Sequence, residues 1–176
     1  MATTSYLIGL GSNRRHGRHG APAGIVAAAI AAIEGKGVRV KAVSATLRTP
    51  ALGPSDRDFA NAAAVIKTRL DPPELLARLK AIERRFGRRS GRRWAARVLD
   101  LDILAWSGGA WPQGSRRAAA GQLAIPHPAL AVRRFALAPA AALRPGWRHP
   151  HLGVTLRQLE ARRRKTRPVD RRAPAQ

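Results

Sequence analysis

Val98-Leu99-Asp100-Leu101-Asp102-Ile103-Leu104 sets apolar residues around two carboxylates at alternate positions. Strict alternation of this kind predicts a β-strand with one face in a core. Residues i and i+2 of a strand share a face, so Asp100 and Asp102 are expected side by side, their Cα atoms about 7 Å apart. Leu99, Leu101 and Ile103 then point the other way. Two carboxylates this close repel each other and both stay ionised only beside positive charge. Arg88, Arg89, Arg92, Arg93 and Arg97 lie just upstream. A hard divalent cation with oxygen ligands, together with a polyphosphate, suits that set. The alternative is a surface strand with two solvated aspartates, and the flanking apolar pattern favours the site.

Composition bounds the answer. A chain of 176 residues holds one domain with a sizeable core. Its hydrophobic share is 45% but only 5% is aromatic, so the core is expected to be built from small side chains. No run of 18 apolar residues predicts a membrane span. The first residues lack a charged segment leading into an apolar one, so no secretion signal is expected and a cytoplasmic address is the default. With no cysteine, disulfides and thiolate metal sites are excluded. The formal net charge of +23 admits nucleic-acid binding, a site for an anionic nucleotide, or over-use of Arg. The basic residues lie in loops and the tail without interleaved aromatics, which discounts nucleic acid as a partner.

Working outward from the carboxylate strand, the preceding segments alternate strand and helix. Tyr6-Leu7-Ile8-Gly9-Leu10-Gly11 reads as a first strand running into a tight turn at Ser12-Asn13; no Gly-Lys-Ser/Thr follows, so it is not a P-loop. His16 and His19 read as solvated loop residues. Residues 23–34 have helical spacing and Gly35-Lys36-Gly37 as a stop. Residues 38–47 read as a second strand, broken by Arg48-Thr49-Pro50, with Thr49 held extended before proline. Residues 58–68 read as a third strand, with Phe59 and Asn61 on one face. That pair suits a flat polar heteroaromatic ring, or equally a core Phe and a capping Asn. Asp71-Pro72-Pro73-Glu74 is a helix start with Leu75, Leu76, Leu79, Ile82 and Phe86 as its stripe. Lys80 and Glu83 share another face, either touching the neighbouring Arg-rich loop or forming a surface ion pair.

Downstream, residues 105–121 read as a hairpin-like excursion. Pro126 and Pro128 restrict His127, which without a second nearby ligand is better suited to hydrogen bonding or to facing phosphate than to metal. Residues 129–137 form a helix-like run bearing Arg133, Arg134 and Phe135. Residues 155–163 read as a last amphipathic helix, and the basic segment after it is expected to be disordered.

Taken in order, these pieces resemble the 6-hydroxymethyl-7,8-dihydropterin pyrophosphokinases of folate biosynthesis. The resemblance is carried by Gly11-Ser12-Asn13, Arg48-Thr49-Pro50 with Leu52-Gly53-Pro54, Phe59-Ala60-Asn61-Ala62-Ala63, Glu83 with Gly87-Arg88, Arg97-Val98-Leu99-Asp100-Leu101-Asp102-Ile103, and Ile125-Pro126-His127-Pro128 with Arg133-Arg134-Phe135. It spans residue 6 to about residue 140. It departs from the family at Ala95-Ala96, where Gly-Pro is usual, and at Lys80, where Gln is common.

The resemblance implies an α+β, ferredoxin-like fold with an antiparallel sheet flanked by helices. It implies a magnesium-dependent diphosphotransferase that passes diphosphate from ATP to the hydroxymethyl group of the reduced pterin, giving AMP. On that likeness Asp100 and Asp102 hold two Mg²⁺ ions, and Arg88 and Arg97 act on the transferring phosphates. Thr49, Pro50, Leu52, Phe59, Asn61 and Phe135 bind the pterin. Glu83, Arg89, Trp94, the backbone at Ile103, His127 and Arg133 line the ATP side. Residues 1–160 are expected to form the catalytic domain, acting as a monomer, and residues 161–176 a basic tail.

Overall fold

The computed structural model describes residues 2–49, 58–87, 98–113 and 122–165. Its elements are β1 (Thr4–Ser12), α1 (Pro22–Ile33), β2 (Val38–Val43), β3 (Leu47–Thr49), β4 (Phe59–Thr68), α2 (Pro72–Arg85), β5 (Asp100–Trp106), α3 (Arg134–Leu143) and α4 (Leu156–Lys165). The strands form one antiparallel sheet in the order β2-β4-β1-β5, with the short β3 also on β4. With the short β3 set aside as an addition on β4, this βαββαβ arrangement, with the last strand at the edge beside the first, is the expected ferredoxin-like pattern.

The alternation of each strand sorts its residues onto two cores. Tyr6, Ile8 and Leu10 of β1, Ala62, Ala64 and Ile66 of β4, and Leu101 and Ile103 of β5 face α1 and α2. Leu7, Ala63, Val65, Leu104 and Ala105 face α3 and α4. Ala105 joins Leu104 on that second face because the β1–β5 register shifts between Leu7 and Ile8, where β5 carries one extra residue. The small side chains foreseen from the composition are therefore in the sheet, where Ala60, Ala62, Ala63 and Ala64 let helices approach both faces.

Local chemistry explains the element ends. Asp71 and Glu74 make a reciprocal capping box, Glu74 N–H to Asp71 at 2.8 Å and Asp71 N–H to Glu74 at 2.9 Å. The C-terminus of α1 is closed from outside: the Arg78 guanidinium donates to the carbonyls of Ile33, Gly35 and Lys36. Gly87, at φ +85°, ends α2.

The first strand runs through Gly9 and Gly11 as read, and ends at Ser12. Three expectations need correction. Residues 38–47 form two strands rather than one. Ser44 exchanges bonds with Ala63 through its backbone N–H and its hydroxyl, both at 2.9 Å, and this local pairing interrupts the ladder between β2 and β3. His16 and His19 are only partly solvated: their rings stack at 4.9 Å and His19 stacks on Phe86 at 5.0 Å. The helix bearing Phe135 starts at Arg134 and runs through Pro139 to Leu143, with turns before it. Pro139 lacks the N–H for one helical bond, but it is buried, and its neighbours Leu137, Ala140 and Ala141 in the second core carry the helix past it.

Candidate active site

The face of the sheet that carries α3 and α4 is covered only in part. Both helices pack over Leu7, Ala63 and Val65. Farther along the same face the strands bring Asn61, Gly11 and Asp100 into one cross-strand row, because Gly11 is paired with Asn61 on one side and with Asp100 on the other. The next row pairs Gly9 with Ala63 and with Asp102. Asp100 and Asp102 therefore share this face with Asn61, both half-buried, while Leu101 between them is fully buried on the opposite face. The side-by-side arrangement expected from the alternation is present.

The floor between the amide and the carboxylates is glycine. A Cβ on Gly11 would stand 3.2 Å from Asn61 Oδ1, and one on Gly9 would stand 3.1 Å from the Leu104 side chain. The sequence reading took these glycines only as a strand end. Their signal was the i, i+2 spacing around a buried leucine, which leaves one strand face without side chains.

Asn61 is buried and oriented. Its Nδ2 donates to Thr49 Oγ1 at 2.7 Å, which fixes the amide and turns Oδ1 over Gly11. Thr49 pairs across the ladder with Phe59, and both lie on the face of Asn61. Phe135 comes from the first turn of α3, with the Arg133 guanidinium 5.9 Å over its ring. A cleft of about 850 Å³ opens at the start of α1, lined by Ala21, Pro22 and Ala23 with Arg14, Arg48 and Asp58, and of the expected site residues it holds only Phe59. Another, of about 720 Å³ and lined by Trp106, Trp147 and Lys67, lies at the far end of the sheet and holds none of the expected site residues.

On the carboxylate side, β5 is the edge of the sheet, and its outward backbone is met by side chains. Leu101 N–H donates to Glu83 Oε1 at 2.8 Å, and Lys80 Nζ donates to Leu101 O at 3.2 Å. Lys80 and Glu83 pair at 2.8 Å, and Glu83 is fully buried, so the surface ion-pair reading is excluded. Farther along, the His127 N–H donates to Leu104 O at 3.0 Å. Ile103 lies between these two attachments with its side chain in the core, so it can offer a ligand only backbone.

The electrostatics of this corner are coupled. Burial, reinforced by Asp100, holds the Asp102 carboxyl above the ordinary carboxylate range, while His127 and Lys80 act against that rise. His127 is pushed below its ordinary value by burial, against the pull of Asp102. Its Nδ1 accepts from the Ala129 N–H at 3.1 Å, so the neutral ring carries its proton on Nε2. A divalent cation fits here. Two carboxylates on one strand face, one of them strained by burial and its neighbour, form a hard oxygen set that a cation would relieve. Among the described residues no group of three or more His, Cys, Asp or Glu forms a cage. A cation held by two carboxylates keeps open positions for phosphate oxygens and water, as Mg²⁺ prefers.

A family model described as 7,8-dihydro-6-hydroxymethylpterin-pyrophosphokinase matches residues 7–145. The chain belongs to this pyrophosphokinase family. It is 39% identical over 145 residues to the 2-amino-4-hydroxy-6-hydroxymethyldihydropteridine pyrophosphokinase of Methylorubrum extorquens, covering 81% of this chain and 84% of that one. It is 38% identical over 123 residues to the Synechocystis protein of the same name, spanning 70% of this chain and 60% of the relative's length. Among solved structures, the Plasmodium falciparum HPPK-DHPS wild type with STZ-DHP superposes with a TM-score of 0.65 at 16% identity, covering 92% of this chain and 41% of that one. That likeness supports the fold.

Of the expected pyrophosphokinase site residues, Thr49, Phe59, Asn61, Asp100 and Asp102 fall on one face of the sheet, and Glu83, Ile103 and His127 line the outer edge of β5. Arg133 and Phe135 meet each other at the start of α3. Pro50, Leu52, Arg88, Arg89, Trp94 and Arg97 lie outside the described residues, as do Ala95-Ala96. No helix among the described residues is long and apolar enough to cross a membrane.

Proposed function

We propose that this chain transfers diphosphate from ATP to the hydroxymethyl oxygen of 6-hydroxymethyl-7,8-dihydropterin, releasing AMP. The carrying observation is the row Asn61–Gly11–Asp100, which sets a ring-reading amide and a cation-binding carboxylate on one glycine floor. Family membership supplies the reaction class, and the names of the relatives supply the pterin.

In this reading Phe59 and Phe135 stack on the pterin, and Asn61, held by Thr49, reads its polar edge. Asp100 and Asp102 would hold two Mg²⁺ ions, which supply charge neutralisation on the triphosphate when bound. The backbone at Ile103 meets the base, with His127 and Arg133 on the phosphates and Arg89 and Trp94 completing the ATP side. Arg88 and Arg97 stabilise the diphosphate in transfer. In such transfers positioning and charge stabilisation provide most of the rate, with little covalent chemistry for the protein. The described site is assembled within one chain, in keeping with a monomer whose catalytic domain covers residues 1–160, working in the cytoplasm where ATP and Mg²⁺ are supplied.

The test is AMP formation from ATP, Mg²⁺ and the reduced pterin. Wild type should form AMP only when all three are present. Asp102→Ala should abolish it with circular dichroism unchanged, and Phe59→Ala should raise the pterin KM. A wild-type protein that forms no AMP, or an Asp102→Ala variant with near-normal turnover, overturns the reading.

A further inference from the structure

We propose that Glu83 is a positioning residue which, with Lys80, clamps the open edge of β5 and so sets the two carboxylates for the cation. The proposal rests on the reading of Asp100 and Asp102 as cation ligands. Leu101 stands between those aspartates. Its side chain is fully buried, and its backbone N–H and C=O turn away from β1 toward the sheet edge. With no further strand there among the described residues, both groups require side-chain partners. Glu83 accepts from the N–H, Lys80 donates to the C=O, and the two close the ring through their own ion pair.

The arrangement does the work of a neighbouring strand at a single residue. A fully buried carboxyl group needs hydrogen-bond donors to compensate its lost hydration, so Glu83 commits Lys80 and Leu101 to one geometry. Asp100 and Asp102 flank Leu101, and any freedom at its peptide groups displaces both carboxylates together. The spacing the cation sees is therefore held by α2, an element that contributes none of the proposed ligands. Glu83 is also too deeply buried to read a base or ribose directly.

The test compares Glu83→Ala, Glu83→Gln and Lys80→Gln with wild type. Amide exchange at Leu101 is followed by NMR in metal-free protein, Mn²⁺ binding by calorimetry, and KM values at saturating Mg²⁺. In Glu83→Ala the Leu101 amide should exchange at least about tenfold faster than in wild type, while β1 and β4 amides keep their protection. Mn²⁺ affinity should fall about tenfold. Glu83→Gln keeps an acceptor and should restore most of the Leu101 protection. If Glu83→Ala does not fold, Glu83→Gln and Lys80→Gln carry the comparison, each with a smaller rise in exchange and a smaller loss of Mn²⁺ affinity. Unchanged Leu101 exchange or unchanged Mn²⁺ affinity overturns the clamp, and so does a raised ATP KM alone, which would make Glu83 a nucleotide contact. Wild type that binds no Mn²⁺, or binds it equally after Asp102→Asn, overturns the cation reading, and the clamp is then decided by the Leu101 exchange.

Discussion

Asn61 and Asp100 stand on either side of Gly11 in one row across β4, β1 and β5. Adjacent strands are about 4.8 Å apart, so the amide and the carboxylate are separated by about 10 Å, room for a bicyclic ring to reach from one toward the other. Only a glycine leaves that span open. In Gly11→Ala the new methyl would crowd Asn61 Oδ1, and the bond from Asn61 to Thr49 limits how far the amide can yield. The expected outcome is a fall of about tenfold in kcat/KM for the pterin, mainly through KM, with ATP KM and Tm nearly unchanged. Steady-state kinetics at saturating ATP checks it, and an unaltered pterin KM would mean the ring does not lie over Gly11.

Asp102→Asn should separate activity from stability. Burial and the neighbouring Asp100 hold the folded-state pKa of Asp102 above its ordinary value near 3.8. The folded state therefore binds a proton more tightly than the unfolded chain, and stability falls as pH rises from that value through the raised one. At neutral pH the ionised carboxylate is a cost that the metal-free protein carries. Asn removes the charge, so metal-free Asp102→Asn should melt higher than wild type at neutral pH. The difference should vanish in acid, while AMP formation is lost. Melting curves across the pH range decide this; equal Tm values at neutral pH would show that the carboxylate carries no such penalty.

Much of this site was legible because period-two alternation is a strong signal. Asp100, Leu101 and Asp102 announce which residues share a face before any coordinates exist, and Phe59 with Asn61 does the same on β4. Asp71 and Glu74 announce a helix start equally well, since capping depends on neighbours in sequence. What stayed hidden depends on distant partners. That Gly11 lies between Asn61 and Asp100 follows from register, which one strand cannot reveal. The Glu83 contact to Leu101 needs α2 to lie along the β5 edge, so from sequence the Lys80 and Glu83 pair looked the same as a surface ion pair. The stacking of His16 on His19 and of His19 on Phe86 likewise joins a loop to the end of a helix far along the chain.

Arg78→Ala should destabilise the fold without touching catalysis. One guanidinium serves the carbonyls of Ile33, Gly35 and Lys36, the last groups of α1 and its Gly-Lys-Gly stop. Those carbonyls would be left to water, and the contact between α1 and α2 would loosen. A loss of about 1–2 kcal/mol is expected, typical for hydrogen bonds from a charged donor at a half-exposed place. Urea denaturation measures it. Lys at this position keeps the charge but not the planar fork, so Arg78→Lys should recover only part of the loss. Full stability in the alanine variant would show that α1 ends without this closure.

Acid should weaken the protein through its buried imidazoles. Burial lowers the pKa of His127 and of His149 below the ordinary 6.5, aided at His149 by the neighbouring His151. A histidine held neutral in the folded state binds fewer protons there than in the unfolded chain. Its contribution is complete above pH about 6.5 and is lost as pH falls through that value toward the lowered one. Asp102 acts in the opposite sense, because its contribution is lost as pH rises from about 3.8, and it offsets part of the imidazole trend. His149 lies away from the carboxylates, its Nδ1 buried without a hydrogen-bond partner among the described residues, and it offers the cleaner measurement. His149→Gln should flatten the decline of Tm between about pH 7 and pH 5 while leaving AMP formation intact. His127→Gln should flatten it too but impair turnover, because that ring faces Asp102. A decline equally steep in both variants would assign the acid sensitivity to other groups.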